Sequence, residues 1–264
     1  MAGSEVADRG SHLVVRTPAN PGYWWGNFVL LAAPPAPGEL AHWVAAFEAE
    51  FPQAAHLSLG VDGTAGGTGD PAELARLGLA AEVSTVLTAT RLRPAPERHP
   101  ERHAERHAEV ELRPLAVESD ADWAQALELG IASNGGDAAP PEYRAFLARK
   151  VAEHRCLCVA GHGVWFGAFV AGTMRAGLGV FGSGGGDGSG DGDRLARYQD
   201  VETHPDFRRQ GLATALVHRA GTWATGELGA RRLVVVADPA YHAIHLYRAL
   251  GFTDAERQVQ LSRQ

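Results

Sequence analysis

The alternation of apolar and polar residues predicts two α/β segments that are separated by a charged stretch. In the N-terminal segment, residues 12–92, apolar and β-branched runs predict strands at 12–16, 28–31 and 55–61. Apolar residues at helical spacing predict a helix between 37 and 51, and a further helix and strand are expected between 70 and 87. Residues 1–11 are expected to be disordered.

The C-terminal segment, residues 109–264, contains a longer series of predicted elements. Strands are expected at 110–115, 165–181, 199–203, 231–237 and 255–261. Helices are expected at 120–133, 142–155, from 211 onward and at 238–250, and the short apolar run 156–160 is assigned to another strand. The alternation of strands and helices predicts the α/β class.

The turn after the strand at 199–203 is suited to bind an anion. Pro205 ends the strand, and Gly211 opens the next helix. The first amides of a helix have no internal partner and lie at the positive end of the helix dipole. Arg208 and Arg209 add positive charge, and Gly211 lets a ligand approach the backbone closely. The sequence therefore predicts an anion site at the start of this helix.

Two motifs in this region resemble the signatures of one family. Residues Arg208 to Ala213 fit Arg/Gln-x-x-Gly-x-Gly/Ala, and Ala243 to Phe252 fit Ala-x-x-Leu-Tyr-x-x-x-Gly-Phe. In this order they resemble the pyrophosphate loop and the second motif of the GNAT acetyltransferase superfamily. The resemblance covers residues 110–264 and implies a mixed central sheet flanked by helices. One departure is Ala240, where the family often has asparagine.

The resemblance implies acetyl-CoA as cosubstrate and a set of residues that contact it. Backbone amides of the loop would bind the pyrophosphate, and an amide of the preceding strand would polarise the acyl carbonyl. The residues expected to bind the cofactor are Val201, Thr203, Arg208, Arg209, Gln210, Gly211, Leu212, Ala213 and Thr214. No metal and no cysteine nucleophile are expected.

Proton transfer needs at least two further groups. The resemblance implies that Tyr247 protonates the departing coenzyme A thiolate, although a tyrosine there also fits a ring packed under the sheet. The acceptor ammonium must lose a proton before it attacks. Asp200 and Glu202 lie two residues apart on one strand, so their side chains share a face and could take this proton. As candidates for the general base we rank Glu202 first, Asp200 second and His204 third. A solvated strand end is the alternative reading of these three residues.

The N-terminal lobe contains a short sequence repeat of the C-terminal one. Asp70-Pro-Ala and the Leu-Gly pair that follows it parallel Asp238-Pro-Ala and its own Leu-Gly pair. The lobe therefore resembles a degenerate second half of an acetyltransferase domain, with Ala75 or Arg76 in the place of Tyr247 or Arg248 and no pyrophosphate loop. An unrelated α/β lobe is the alternative. Its aromatic run 21–27 fits a packed corner, or a surface for substrate or a homodimer partner.

Two segments have compositions that cannot build a core. Residues 93–108 contain Glu-Arg-His three times; as a helix this would align His99, His103 and His107 for a metal, but its prolines and charges favour a solvated linker. Residues 182–193 consist almost entirely of Gly, Ser and Asp. They are predicted to form a flexible hairpin tip, because the aspartates lack the spacing and the closing Glu of a calcium loop.

Composition narrows the remaining possibilities. A net charge of −7 argues against general nucleic-acid binding and permits a cationic amine substrate. No signal-peptide or membrane-spanning run is found. Cys156 and Cys158, on one predicted strand, are poorly placed for a disulfide, which indicates the cytoplasm. Lys150 is the only lysine and is expected to carry no site.

Together these features predict an N-acetyltransferase that transfers an acetyl group from acetyl-CoA to a primary amine by direct attack. The pyrophosphate loop occurs once, so one active site per chain is expected. A catalytically inactive acyl-CoA-binding sensor or assembly module is the alternative. A weaker alternative makes the N-terminal lobe a partner-binding module. The identity of the amine stays open.

Overall fold

A computed structural model describes residues 3–94, 110–183 and 194–263 of the chain. The strands are β1 Glu5–Asp8, β2 His12–Arg16, β3 Phe28–Leu31, β4 Leu57–Val61, β5 Ala80–Ala89, β6 Val110–Pro114, β7 Gly163–Val170, β8 Thr173–Gly182, β9 Leu195–Thr203, β10 Arg232–Ala237 and β11 Thr253–Arg263. The helices are α1 Leu40–Glu50, α2 Pro71–Arg76, α3 Asp120–Ser133, α4 Pro141–Val159, α5 Leu212–Glu227 and α6 Ala243–Ala249. The predicted mixed α/β class is confirmed.

The chain forms two compact units, each built from separate stretches of sequence. The first unit contains Met1–Val86, Val236–His242 and Asp254–Gln264, and the second contains Leu87–Val235 and Ala243–Thr253. The last strand thus belongs to the unit that contains the start of the chain. This division differs from the contiguous segments 12–92 and 109–264 expected from the sequence.

The first unit is a sheet with the strand order β1-β2-β3-β4-β11-β5. Strands β3 and β4 are parallel and are joined by α1, whereas β11 pairs antiparallel with β4. Leu40, Val44 and Phe47 recur at helical spacing and pack with the apolar strand residues into one core. Residues 1–11, expected to be disordered, contain β1, which pairs antiparallel with β2.

The second unit is a sheet with the order β10-β9-β8-β7-β6. All neighbours are antiparallel except β9 and β10, which are parallel and joined by α5. Trp165 of β7 packs beside Trp123 of α3, whereas the next residue, Phe166, packs against Trp223 of α5. Because successive strand residues point to opposite faces, α3 and α5 cover opposite faces of this sheet.

Three sequence-based assignments between residues 156 and 250 differ from the structure, two in the type of element and one in where a helix starts. The single strand expected at 165–181 is a hairpin, β7 and β8, whose turn residues Ala171 and Gly172 have φ values of 49° and 77°. Cys156 and Cys158 lie on α4 and not on a strand, and both are free thiols. A run of four or five apolar residues is compatible with either element, so sequence periodicity does not distinguish them.

The third assignment that differs concerns the helix expected from residue 238. α6 begins only at Ala243, because residues 238–240 form a turn in which the Asp238 carboxylate accepts the Ala240 amide at 2.8 Å. The hairpin tip predicted at 182–193 lies almost wholly outside the described residues, although β8 and β9 on either side of it pair antiparallel. The linker and its histidines also lie outside them, apart from residues 93 and 94.

The chain repeats one order of elements: strand, helix, parallel strand, short helix, strand. The first copy is β3-α1-β4-α2-β5, and the second is β9-α5-β10-α6-β11. Asp70 begins the short helix of the first copy as Asp238 begins the turn of the second, and each carboxylate accepts the amide two residues later. This local agreement supports the internal repeat that the sequence suggests.

The ends of the two short helices fix the register of the repeat. In α2 the Leu79 amide donates to the Leu74 carbonyl, and in α6 the Phe252 amide donates to the Tyr247 carbonyl. The intervening glycine has a positive φ in both, 67° at Gly78 and 99° at Gly251. Leu74 therefore stands in the place of Tyr247. The sequence-based alignment set Ala75 or Arg76 against Tyr247 or Arg248; this register sets Ala75 against Arg248, and Tyr247 against Leu74, because α6 starts four residues later after its Asp-Pro-Ala than α2 does.

Candidate active site

Strand β9 carries an irregularity at the place where the predicted acidic residues lie. Gly179 of β8 pairs with Gln199, but Gly177 pairs with Glu202, so β9 has one residue more than its partner between these pairs. Asp200 has a φ of 46°, a left-handed value that is uncommon for a residue other than glycine. The strand therefore contains a β-bulge at residues 200 and 201.

The bulge determines which face of the sheet receives the two carboxylates. Tyr198 points toward α5, because its hydroxyl donates to the Val217 carbonyl at 2.8 Å. Regular alternation would place residues 200 and 202 on that same face. The extra residue reverses the alternation, so Asp200 reaches α4 and Glu202 reaches the end of α3. The prediction that both side chains share a face is confirmed, and the bulge decides which face.

Glu202 is held among groups from α3 and α4. The Asn134 amide, just past the end of α3, donates to Glu202 Oε1 at 3.0 Å and to the Gly130 carbonyl at 2.9 Å. Burial, reinforced by the charge of Asp200, raises the pKa of Glu202 to about 7, although Lys150 and the Asn134 hydrogen bond act in the opposite direction. Glu202 can therefore both accept and release a proton near neutral pH.

Gly130 of α3 makes room for this carboxylate. A β-carbon at position 130 would lie 3.3 Å from Glu202 Oε2 and 2.8 Å from a methyl carbon of Leu147 on α4. The absence of a side chain thus allows α3 to pass close to both Glu202 and α4. Burial and the charge of Glu202 also raise the pKa of Tyr143 at the start of α4, which shows that this phenol shares the environment of the carboxylate.

Asp200 is paired with the only lysine of the chain. Lys150 Nζ donates to Asp200 Oδ1 at 2.6 Å, and the two side chains keep only 16% and 21% of their exposure. His154, one turn further along α4, has its Nδ1 3.8 Å from the second carboxylate oxygen. Burial lowers the pKa of His154 to about 4, so its imidazole is neutral at pH 7. Lys150, which the sequence did not connect with any site, thus lies beside one of the predicted acidic residues.

Strand β9 loses its parallel neighbour β10 just before the bulge. The pairs between β9 and β10 end at Arg197, and within the described residues no further pair joins the two strands. The edge of β9 that would face β10 is therefore open from Tyr198 to Thr203, a stretch that includes Val201 and Thr203. Backbone amides along such an edge are available to a ligand.

The predicted anion loop lies between the end of β9 and the start of α5. Arg209 and Gly211 have φ values of 60° and 79°, and Gly211 is the N-cap of α5. No side chain of the described ranges caps this helix end, so the amides of its first turn, residues 212–214, point outward without an internal partner. Leu212 is buried and anchors the first turn in the core. This geometry fits an anion such as a pyrophosphate.

The side chains of the loop make bonds that the sequence did not reveal. The Arg208 guanidinium donates to the carbonyl oxygens of Thr203 and Ser133, both at 3.3 Å, and Gln210 donates to the Asp206 carbonyl at 3.1 Å. His204 accepts the Asp206 amide through Nδ1 at 3.3 Å. In this conformation these three side chains order the turn itself, and their contacts to a cofactor stay a prediction.

Tyr247 lies in α6 and is 5% exposed. Its ring packs edge to face with Phe252 at 6.1 Å, and its charge contributes to a raised pKa of Tyr198, whose main cause is burial. The packing alternative for Tyr247 is thus realised in part, and its role as an acid stays a prediction. Sequence reasoning missed Asn134, Tyr143, Lys150 and His154, because only folding brings them to β9.

Within the described ranges, no group of three or more His, Cys, Asp or Glu side chains is arranged to hold a metal ion. Likewise, none of the helices in those ranges is long and apolar enough to cross a membrane.

Comparison with known proteins identifies the family of the C-terminal part of the chain. Residues 123–252 match the sequence model of the acetyltransferase (GNAT) family. The structure is similar to that of a functionally unknown conserved protein from Staphylococcus epidermidis, with a TM-score of 0.69, 13% identity and coverage of 99% of this chain and 94% of that one. Comparison with curated proteins gives no match.

Two further structures are similar over the same length. A GCN5-related N-acetyltransferase from Kribbella flavida has a TM-score of 0.62 and 17% identity, with coverage of 99% of this chain and 90% of that one. A tandem GNAT protein from the clavulanic acid biosynthesis pathway has a TM-score of 0.55 and 16% identity, with coverage of 99% and 83%. At these identities the likeness establishes a shared fold.

Proposed function

Because residues 123–252 form an acetyltransferase domain of the GNAT superfamily, we propose that this protein transfers an acetyl group from acetyl-CoA to a primary amine. One observation carries the proposal. Strand β9 has no pairs with β10 beyond Arg197, and this unpaired stretch carries the partly buried carboxylates of Asp200 and Glu202 and leads to the uncapped start of α5. An acyl donor bound along this open edge has a proton acceptor on one side and an anion site at its end.

The cofactor is proposed to bind through the backbone. Amides of Gln210 to Thr214 receive the pyrophosphate at the positive end of α5, with Arg208 and Arg209 supplying charge. Amides at Val201 and Thr203 lie on the open edge of β9 and are suited to polarise the acyl carbonyl as negative charge develops on its oxygen.

Glu202 is proposed to take the proton of the acceptor ammonium, directly or through a water molecule. A pKa of about 7 means that roughly half of this carboxyl is ionised at neutral pH and that it holds an accepted proton well. The freed amine lone pair attacks the carbonyl carbon of the thioester. A carbon–nitrogen bond forms, and the tetrahedral intermediate collapses as the carbon–sulfur bond breaks. The attacking nitrogen then gives up its second proton, which passes through solvent and restores the group that protonates the thiolate.

Tyr247 is proposed to protonate the coenzyme A thiolate as it leaves. A phenol has an ordinary pKa of about 10, so it arrives protonated and donates to the sulfur. The products are an amide and free coenzyme A, and no covalent enzyme intermediate is involved. The free thiols Cys156 and Cys158 fit the reducing cytoplasm, which we propose as the place of action.

The decisive experiment is a thiol-release screen of the full-length protein with acetyl-CoA and a panel of primary amines, with Glu202→Gln as the control. Amine-dependent release that Glu202→Gln lacks would support the transferase. If acetyl-CoA raises the melting temperature while no amine releases thiol, the protein is instead an inactive acyl-CoA-binding module.

A further inference from the structure

The ion pair between Lys150 and Asp200 lies in the site but has no role in the transfer described above. Lys150 projects from α4, and its ammonium contacts a carboxylate on the bulge of β9 at 2.6 Å. Both side chains are mostly buried, so water screens the pair less than it would screen a surface ion pair. Surface ion pairs contribute little to stability, whereas a partly buried charge strongly affects its ionisable neighbours.

The titratable groups around Glu202 come from two elements. Asp200 lies two residues before it on β9, and α4 supplies Tyr143, Lys150 and His154. Tyr143 and His154 are neutral near pH 7, because burial raises the pKa of Tyr143 and lowers the pKa of His154 to about 4. Asn134 donates a hydrogen bond without carrying a charge. The charges that act on Glu202 near neutral pH are therefore those of Asp200 and Lys150.

These two charges have opposite effects. The Asp200 carboxylate disfavours a second negative charge on Glu202, and the Lys150 ammonium favours it. We propose that Lys150 is a positioning residue for the transfer: by pairing with Asp200 it sets the net charge beside Glu202 and so adjusts how readily Glu202 accepts the proton of the amine. This inference rests on the proposed function, in which Glu202 is the proton acceptor.

The structure also explains why the pair is placed on the bulge. Without the extra residue in β9, position 200 would face α5 and would be out of reach of Lys150. The same irregularity therefore brings Asp200 to both its cation and its acidic neighbour. A purely structural ion pair could lie anywhere along α4, but this one lies two residues from Glu202.

The first test measures ionisation without any substrate. The full-length protein is labelled with ¹³C at the glutamate carboxyl carbons, and the Glu202 signal is assigned by its loss in Glu202→Gln. Lys150→Met should raise the pKa of Glu202 by about one unit, because the opposing cation is removed. Asp200→Asn should lower it, and the double variant should fall between the two single variants. Lys150→Arg retains the charge and should restore the wild-type titration.

Arg149→Met is the matched control, since it removes the same charge from the adjacent, exposed position of α4. It should leave the Glu202 titration unchanged. Suppose that Lys150→Met lowers the melting temperature but gives the same Glu202 pKa as Arg149→Met. The ion pair then only supports packing, and the inference is overturned. Should Lys150→Met fail to fold, Asp200→Asn decides alone, and an unshifted titration there overturns the inference as well.

The second test uses the pH dependence of kcat/KM with the best amine from the thiol-release screen. The acidic limb should move to higher pH in Lys150→Met, with about fivefold lower activity at pH 7 and recovery at higher pH. Lys150→Arg should restore the limb. If the Glu202 titration shifts as expected while no amine is acetylated, the charge coupling stands and the proposed function fails. If the pKa of Glu202 shifts but the acidic limb of the kcat/KM profile does not, Lys150 has no part in the transfer reaction.

Discussion

Glu202 combines the two properties that a proton acceptor for an ammonium group needs. Its side chain is partly buried at the α3 end of the sheet face, where Asn134 fixes one oxygen, and its pKa of about 7 lies near the pH of use. A solvated glutamate would be fully ionised at that pH but would hold the accepted proton poorly. Burial in the fold therefore gives this carboxylate the pKa that the proposed proton acceptor needs.

Replacing Glu202 with glutamine should lower kcat by about 100-fold or more, because general base catalysis contributes at least that much. The wild-type kcat/KM should rise with pH through about 7 and then level off as Glu202 loses its proton. Steady-state rates from pH 5.5 to 9 measure both effects. A wild-type profile without an inflection near 7 would contradict the assignment.

The same group makes stability depend on pH. Its pKa is raised from 4.5 in the unfolded chain to about 7 in the folded one, so the folded state binds the proton more tightly. The free energy of unfolding should therefore fall as pH rises from about 4.5 to about 7, relative to Glu202→Gln, which lacks this proton. Thermal unfolding of both proteins across this range checks the sign. Parallel curves would mean that Glu202 is not desolvated.

Tyr247 can be tested by removal of one oxygen. Tyr247→Phe keeps the ring that packs against Phe252, so the melting temperature should change little. The turnover number should fall about 10- to 100-fold, most strongly for acyl donors with a poor leaving thiol. Turnover equal to wild type would show that another group, or water, protonates the thiolate.

At the scale of the element, the start of α5 depends on a backbone conformation that glycine tolerates best. Gly211 has a φ of 79°, and an L-residue in the left-handed region costs about 1–2 kcal/mol. Gly211→Ala should therefore destabilise the fold by about that amount or distort the loop, and it should raise the Kd for acetyl-CoA. Calorimetry and thermal unfolding measure the two effects separately.

Gly226→Ala provides the control on the same helix. Gly226 lies in the last turn of α5, and a β-carbon there would meet no atom within 4 Å. Alanine is favoured over glycine inside a helix, so this variant should gain about 0.5–1 kcal/mol of stability and bind acetyl-CoA as wild type does. If both variants lose acetyl-CoA binding to the same extent, the conformation at Gly211 has no specific role in binding.

At the scale of the whole molecule, the last strand, β11, belongs to the same unit as residues 1–86. Five residue pairs join β11 to β4, from Val259 with Val61 to Arg263 with Leu57. Val259 and Leu261 lie fully buried in the core of that unit. Cutting the chain in the charged stretch 93–108 therefore divides a folding unit, even though the composition there is typical of a linker.

Fragment 1–108 should fail to unfold cooperatively when expressed alone, since the first unit then lacks β11. Co-expressed with a second fragment, 109–264, it should purify together with that fragment and recover a cooperative transition. Leu261→Asp in the second fragment should abolish this reassembly, whereas Ala255→Asp, at an exposed position of the same strand, should not. A fragment 1–108 that unfolds cooperatively alone would contradict the assignment of β11 to the first unit.

Local patterns were sufficient for much of this protein. The glycine loop before α5, the Leu-Tyr and Gly-Phe pairs around α6 and the two carboxylates of β9 depend on residues a few positions apart. For that reason the α/β class and the family followed from the sequence. The assignments that were wrong, such as the strand at 156–160, concern short apolar runs whose element is decided by packing.

Tertiary structure alone decided how those residues act together. Lys150 reaches Asp200 across 50 residues of sequence, and Asn134 reaches Glu202 across 68. No periodicity encodes such pairs, because they depend on how α3 and α4 pack on the sheet. The bulge in β9 and the pairing of β11 with β4 are also non-local, since strand register depends on the partner strand. The sequence thus specified the chemical groups, and the fold determined their charge environment.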